Sequence, residues 1–225
     1  MARKVIESGM RNMSKKLFAE FLGTFALVFL GAGAIVSGKA DLQGVALAHG
    51  LAIFVSISAL AGISGAHFNP AVSAVMLATK RICGQDFLYF VIAQLAGATV
   101  ASLALNYIYG QSNGYGLPTI ASGTSIGAGV LAEILGTALL VAVIFGVAVD
   151  KRSVAASHPG LPIGLTITAI IFSVGPITGA ALNPARWFGP AIVSGDWTNA
   201  WVYIVAPIAG SLIAGFAYQA IAKPE

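Results

Sequence analysis

Charge is what this sequence has least of: Asp, Glu, Lys and Arg make up 9% of its 225 residues, against roughly a quarter of an average soluble domain. So few ionised groups cannot cover a water-facing surface, and the chain reads as one built for lipid. The eight acidic and twelve basic residues leave a net charge of +4. The basic residues are dispersed and are not interleaved with aromatics, so no nucleic-acid surface is indicated. Cysteine is nearly missing as well, and Cys83 alone excludes an internal disulfide and any Cys-x-x-Cys metal or redox pair. His49, His67 and His158 are scattered, with no metal-ligand spacing and no nucleophile–base cluster. Neither an enzyme nor a metal or other cofactor is expected. The connecting stretches 39–41, 111–125 and 150–159 are too short for a second domain.

Hydrophobic residues fill 57% of the chain instead. Apolar runs at 17–37, 42–63, 87–107, 127–149, 161–175 and 200–221 approach the ~20 residues that cross a bilayer as helix. They predict an all-α membrane protein with six transmembrane helices. The first run is not followed by a small-residue cleavage site, so it is read as a helix of the mature protein. Basic residues near span ends stay cytoplasmic. Arg3, Lys4, Arg11, Lys15 and Lys16 precede the first span, Lys80 and Arg81 follow the second, and Lys151 and Arg152 follow the fourth. All fall on one side, opposite Lys39 and Arg186, which places both termini in the cytoplasm without saying which membrane is crossed.

The chain also repeats itself. Ala19-Glu20-Phe21-Leu22-Gly23-Thr24 returns as Ala132-Glu133-Ile134-Leu135-Gly136-Thr137, and Ser64-Gly65-Ala66-His67-Phe68-Asn69-Pro70-Ala71 returns as Thr178-Gly179-Ala180-Ala181-Leu182-Asn183-Pro184-Ala185. The offsets are 113 and 114 residues, from Glu20 to Glu133 and from Asn69 to Asn183. Residues 1–225 therefore form one domain of two units, about 17–108 and 127–221. Each unit holds an odd number of spans, so the second enters the membrane inverted. Inverted repeats place a pathway at their interface near the midplane.

Each Asn-Pro-Ala starts a helix, because Asn caps the first turn and Pro suits the position after the cap. The apolar stretches behind them, 71–78 and 185–193, are too short to span and read as two re-entrant half-helices meeting N-terminus to N-terminus. Their positive ends and the Asn side-chain NH₂ groups, left free by the cap, would face the pathway. Non-helical backbone at this depth is tolerated where it lines a water-filled cavity. The carbonyls of Gly65, Ala66, His67, Phe68, Gly179, Ala181 and Leu182 are expected there.

The paired Asn-Pro-Ala, the repeated Ala-Glu-x-x-Gly-Thr, and the run Asn183-Pro184-Ala185-Arg186-Trp187-Phe188-Gly189-Pro190 resemble the aquaporin, or major intrinsic protein, family across roughly 17–221. The resemblance implies a passive channel for water and small neutral solutes, closed to protons and ions, assembled as a homotetramer with one pore per subunit. It gives Glu20 and Glu133 a structural role holding the loop backbone, in place of a proton relay, and leaves His67 between bracing the loop and lining the pore. His158 reads as a solvated loop histidine, and Gln94 with Gly97, Gly136, Gly210 and Gly215 as helix-packing residues.

Counting from the motifs, the family's four-residue constriction corresponds to His49, Ile171, Ala180 and Arg186. Strict water channels resemble Phe, His, a small residue and Arg; glycerol facilitators resemble Trp, Gly, Phe and Arg. The set here is similar to that of plant tonoplast intrinsic proteins, which implies solutes beyond water, ammonia first, with urea or glycerol also in range. The alternatives are a strict water channel, a glycerol facilitator and a coupled secondary transporter. The last would require charged or polar coupling-ion ligands beyond the two repeat glutamates, and none are present.

Overall fold

Capping residues decide where the helices begin. The computed structural model describes residues 2–222, and side chains from residue 12 on, so the side chains of Arg3, Lys4 and Arg11 lie outside the described residues. Helix α1 starts at Ala2, with Asn12–Val36 as its membrane-spanning part. Then follow α2 (Leu42–Ser64), α3 (Pro70–Ala78), α4 (Gly84–Tyr109), α5 (Ile126–Val149), α6 (Gly160–Thr178), α7 (Pro184–Ser194) and α8 (Ala200–Ile221). The side chains of Asp41, Asn69, Ser125 and Asn183 each accept a first-turn N–H of the helix they precede. At the other ends of α2, α6 and α7, Gly65, Gly179 and Gly195 take positive φ, which glycine adopts without steric penalty. The six long helices and the two short ones, α3 and α7, match the expected all-α plan, and the described residues contain no strand.

Two local features differ from the sequence reading. Helix α6 runs through Pro176 to Thr178, beyond the predicted stop at 175, because proline removes a single helical N–H and the Gly179 N–H still closes the turn onto Gly175. The spans α1 and α5 also contain π-helical turns, at Leu27–Ala32 and Phe145–Val149, which apolar periodicity does not signal.

Glycine governs how closely the helices approach. A Cβ on Gly97 would fall 2.3 Å from the Phe21 carbonyl oxygen, and one on Gly210 would fall 2.3 Å from the Ile134 carbonyl oxygen. These two contacts, α4 on α1 and α8 on α5, are the same contact 113 residues apart. Between the halves, Gly50 of α2 and Gly164 of α6 each lie against the other's carbonyl. Such reciprocity is the mark of a two-fold relation between the repeats. Polar side chains Glu20, Thr24, Gln94, Glu133, Thr137 and Ser211 are buried, while Leu51, Val55, Leu88, Leu103, Leu139 and Phe216 face outward. That inversion suits lipid as the surrounding solvent.

Alanine at Gly97 or Gly210 should lower the apparent unfolding midpoint of the detergent-solubilised protein by on the order of 5 °C, from overpacking of about 1–3 kcal/mol. Gly62→Ala is the control, because a Cβ there meets no atom within 4 Å and alanine favours helix. Equal midpoints for Gly97→Ala and Gly62→Ala would rule out this packing account.

Candidate functional site

Between the repeats lies a cavity of about 150 Å³, bounded at one end by Val149, Pro159 and Ile163 and at the other by His49, Ile171, Ala180 and Arg186. At the roughly 10–15 Å³ of such space that one water needs, it has room for about ten at most. One wall is aliphatic, with Leu27, Ile53, Ile57, Val72, Leu140 and Ile167; the other is formed by the two re-entrant loops and Asn69 and Asn183.

The loops are twins. Gly65, Ala66 and Phe68 have φ of 92, 54 and 51°, and Gly179, Ala180 and Leu182 have 78, 46 and 54°. Left-handed backbone is costly for the residues with side chains, and one buried glutamate per loop offsets that cost. Glu20 accepts from Ser64 Oγ (2.6 Å), His67 N (3.0 Å), Phe68 N (2.7 Å) and Gln94 Nε2 (2.7 Å). Glu133 accepts from Thr178 Oγ1 (2.6 Å), Ala181 N (2.9 Å) and Leu182 N (2.8 Å). All the acceptor positions of the Glu20 carboxylate are filled from within the loop and its brace.

Asn69 Oδ1 accepts the Ala71 N–H at 2.8 Å, and Asn183 Oδ1 accepts those of Ala185 at 2.9 Å and Arg186 at 3.3 Å. Their NH₂ groups are not left free, as the sequence suggested. Asn69 Nδ2 donates to the Leu182 carbonyl and Asn183 Nδ2 to the Phe68 carbonyl, both at 2.8 Å. The Phe68 and Leu182 carbonyls therefore each spend one lone pair on the opposite repeat, and each amide keeps its second N–H. Pro70, Ala71, Pro184 and Ala185 are buried behind the asparagines as the first residues of α3 and α7. Of the loop residues expected along the cavity, Gly65, Ala66, His67, Phe68, Ala181 and Leu182 line it. Gly179 does not: it caps α6 and sits where a Cβ would fall 2.8 Å from Pro118.

At the far end, His49 Nδ1 lies 2.8 Å from the Val45 carbonyl. A carbonyl only accepts, so Nδ1 carries a proton, and in the neutral tautomer that fits this bond Nε2 is an acceptor. Nε2 is buried without a protein partner. Arg186 donates from Nη1 to the Gly116 carbonyl at 2.7 Å, while its Nε and Nη2 have no protein partner. One acceptor and two donors thus stand at this end of the cavity beside the apolar Ile171 and Ala180.

Comparison with known proteins decides the class. The model of the major intrinsic protein family matches residues 7–218. The chain belongs to this family. It is 39% identical to the aquaporin NIP1-1 of Zea mays, over 92% of this chain and 74% of that one. It is 41% identical to a glycerol uptake facilitator protein-like 6 of Lactiplantibacillus plantarum, over 94% of this chain and all of that one. The solved aquaglyceroporin of Plasmodium falciparum superposes with a TM-score of 0.86 at 29% identity, covering 94% of this chain and 98% of that one. As a major intrinsic protein the chain is an integral, multi-pass membrane channel for water and small solutes, and not an enzyme.

Several supporting residues of this channel escaped the sequence reading. Gln94 is more than a packing residue: it donates to Glu20 and also to Ser73 Oγ (3.0 Å), which pairs with His67 Nδ1 at 3.0 Å. His67 therefore braces its loop and lines the cavity at once. Tyr203 donates to the Thr178 carbonyl at 3.0 Å and stacks on Trp187. His158 is exposed, its ring paired with Ser157 Oγ and its backbone N–H donating to the Ala155 carbonyl. A buried polar residue repeating in one half and not in the other would have flagged Gln94, whose counterpart 113 residues on is Pro207.

Gly31, inside the first π-helical turn, lies flat on His49, and a Cβ there would fall 2.5–2.7 Å from three of its ring atoms. Gly31→Ala should displace the ring into the cavity and reduce water permeability by roughly fivefold or more, with the unfolding midpoint little changed. Adding His49→Ala to Gly31→Ala should restore most of the flux. Normal flux in the single variant would show that Gly31 does not position His49.

Proposed function

We propose that the chain passively conducts water and small neutral solutes, ammonia, urea or glycerol among them, and excludes protons and ions. The observation that carries this reading is the make-up of the end formed by His49, Ile171, Ala180 and Arg186. Ile171 supplies an apolar wall and Ala180 leaves space, so the proposed constriction rejects solutes by size less strictly than a polar ring would. His49 Nε2 accepts and the free N–H groups of Arg186 donate, which suits a solute able to do both. The Lactiplantibacillus and Plasmodium relatives, a glycerol uptake facilitator-like protein and an aquaglyceroporin, favour polyol passage as a second reading. The resemblance of the four side chains to tonoplast proteins favours ammonia.

Exclusion of cations rests on charge. Each half-helix N-terminus carries about +0.5 charge, worth roughly 2 kcal/mol of repulsion to a cation at about 4 Å with an effective dielectric near 20. Arg186 adds about twice that at the same separation, and stripping the ion of water adds more. The second N–H of each asparagine amide orients a water oxygen between the two helix ends, which interrupts a proton wire.

In this reading residues 1–225 act as one domain of two repeats, about 17–108 and 127–221, and four copies assemble with one pore each. Lys15, Lys16, Lys80, Arg81, Lys151 and Arg152 put both termini in the cytoplasm. Glu20 and Glu133 serve as loop supports.

Stopped-flow light scattering of proteoliposomes tests the solute range. Wild type should pass water together with ammonia, urea or glycerol. Ile171→His combined with His49→Phe should keep water flux within about twofold and lose at least tenfold of the larger or amine-like flux. If wild type passes water and nothing else tested, the protein is a strict water channel. Exclusion is tested separately: Asn183→Asp places a carboxylate opposite the helix ends and should admit measurable cation current in planar bilayers. A folded Asp variant as silent as wild type would move the barrier elsewhere.

A further inference from the structure

We infer that the end of the protein carrying Arg81, Lys151 and Arg152 holds a binding site for a phosphate monoester, presented as a lipid headgroup or as the free ion. A second cavity, of about 530 Å³, lies where the connection after α3, the turn after α5 and the end of α8 converge, and it is lined by those three cations together with Asp150, Tyr218 and Gln219.

The charges around it do not balance. Asp150, the one carboxylate in the wall among the described residues, is already committed to Arg152, which donates to it from Nε at 2.9 and 3.2 Å and from Nη2 at 2.6 Å. The Arg152 N–H and the Tyr218 hydroxyl donate to the same carboxylate at 2.9 and 3.1 Å. Hydrogen bonds from Arg152 hold the Asp150 carboxyl well below the usual carboxylate range. Arg152 Nη2 is also fastened to the Ala222 carbonyl at 3.1 Å. The Asp150–Arg152 pair is therefore an electrically neutral bracket that ties the turn to the end of α8.

Arg81 and Lys151 remain, with no carboxylate partner among the described residues. The Arg81 guanidinium sits over the Phe145 ring, 5.3 Å from its centroid. A guanidinium over a ring face still has N–H donors at its edge, the fork that meets phosphate oxygens in pairs. Lys151 adds a compact point charge. Two uncompensated positive charges match a phosphate monoester, which carries −1.5 to −2 at neutral pH, better than a single carboxylate. Basic pockets between helix ends at the membrane boundary are where phospholipid headgroups dock. Val149 belongs to the walls of both this cavity and the central one, so the occupant sits beside the mouth of the channel.

The test uses the full-length protein in detergent, with phosphatidic acid and phosphatidylcholine of identical acyl chains as probes and native mass spectrometry as readout. Wild type should retain phosphatidic acid at least tenfold over phosphatidylcholine. The double variant Arg81→Gln with Lys151→Gln should bring the two lipids level, while Lys39→Gln at the opposite end changes nothing. Unchanged water flux of the variants in phosphatidylcholine vesicles verifies folding. Millimolar inorganic phosphate that displaces phosphatidic acid assigns the site to the phosphate group in either form; failure to displace it assigns the site to the lipid. Equal retention of both lipids by wild type, or selectivity that survives the double variant, overturns the proposal.

Discussion

Two reciprocal hydrogen bonds, Asn69 to the Leu182 carbonyl and Asn183 to the Phe68 carbonyl, are the constraint on which the rest of this architecture depends. Helices α3 and α7 point their positive ends at each other, an arrangement that repels unless negative dipoles intervene. Each asparagine supplies the remedy for both helices with one short side chain. Its oxygen caps its own half-helix, and its nitrogen grips a carbonyl of the other repeat. Aspartate offers the cap without the grip, and alanine offers neither. Because the two bonds are related by the repeat, neither half can shift along the pathway without breaking both.

That clasp works only if the carbonyls before each asparagine are presented at the right angle, which is why the loops hold left-handed residues. Four of these carry side chains: Ala66, Phe68, Ala180 and Leu182. At about 1–2 kcal/mol each, a loop bears roughly 2–4 kcal/mol of strain. The hydrogen bonds from each loop to its glutamate, at about 1.5–3 kcal/mol apiece for a charged acceptor, exceed that figure before the burial of the carboxylate is counted against them. The spans therefore carry buried acids at the same place in both repeats, and Gly23 and Gly136 beside them are bare because Phe68 and Leu182 occupy the space a Cβ would take. A sequence read for hydrophobicity alone treats Glu20 and Glu133 as defects in apolar helices; they are the posts on which the re-entrant loops hang.

What was legible in the sequence follows from periodicity and local chemistry. The six spans, the two half-helices and the pairing of the repeats came from apolar run lengths, Asn-Pro caps and matched offsets, each a one-dimensional signal. The Asn–carbonyl clasp was not legible, since the same cap geometry leaves the NH₂ free or engaged according to what lies opposite. Nor was the role of Gly116, a loop carbonyl 70 residues before Arg186 in the chain that holds its guanidinium. Gln94 was misjudged because a glutamine in a membrane helix reads as a packing residue until its acceptor is known. The π-helical turns leave no trace in composition, although Gly31 within one of them shapes the wall around His49.

The repeat also explains why there is one proposed constriction and not two. Applying the offset of 114 residues, His49 corresponds to Ile163, Ile171 to Ile57, Ala180 to Ala66 and Arg186 to Val72, and all eight residues line the central cavity. Two of the four pairs keep their character, Ile with Ile and Ala with Ala. The other two exchange a polar group for an aliphatic one. The backbone thus builds equivalent walls at both ends, and two departures from the repeat, His49 and Arg186, give one end its hydrogen-bonding groups and its charge. In the proposed reading, a solute crossing from the Ile163 end passes mostly apolar side chains beside His67 and the Gly65–Phe68 backbone, then the asparagines at the positive helix ends, and meets a full side-chain charge at Arg186. Symmetry supplies the lining of the path, and the proposed selection rests on its local failure. In the proposed reading, restoring the repeat at either position would remove the groups that face the cavity without a protein partner, His49 Nε2 and two of the three Arg186 nitrogens, and at Arg186 it would also take the donor from the Gly116 carbonyl.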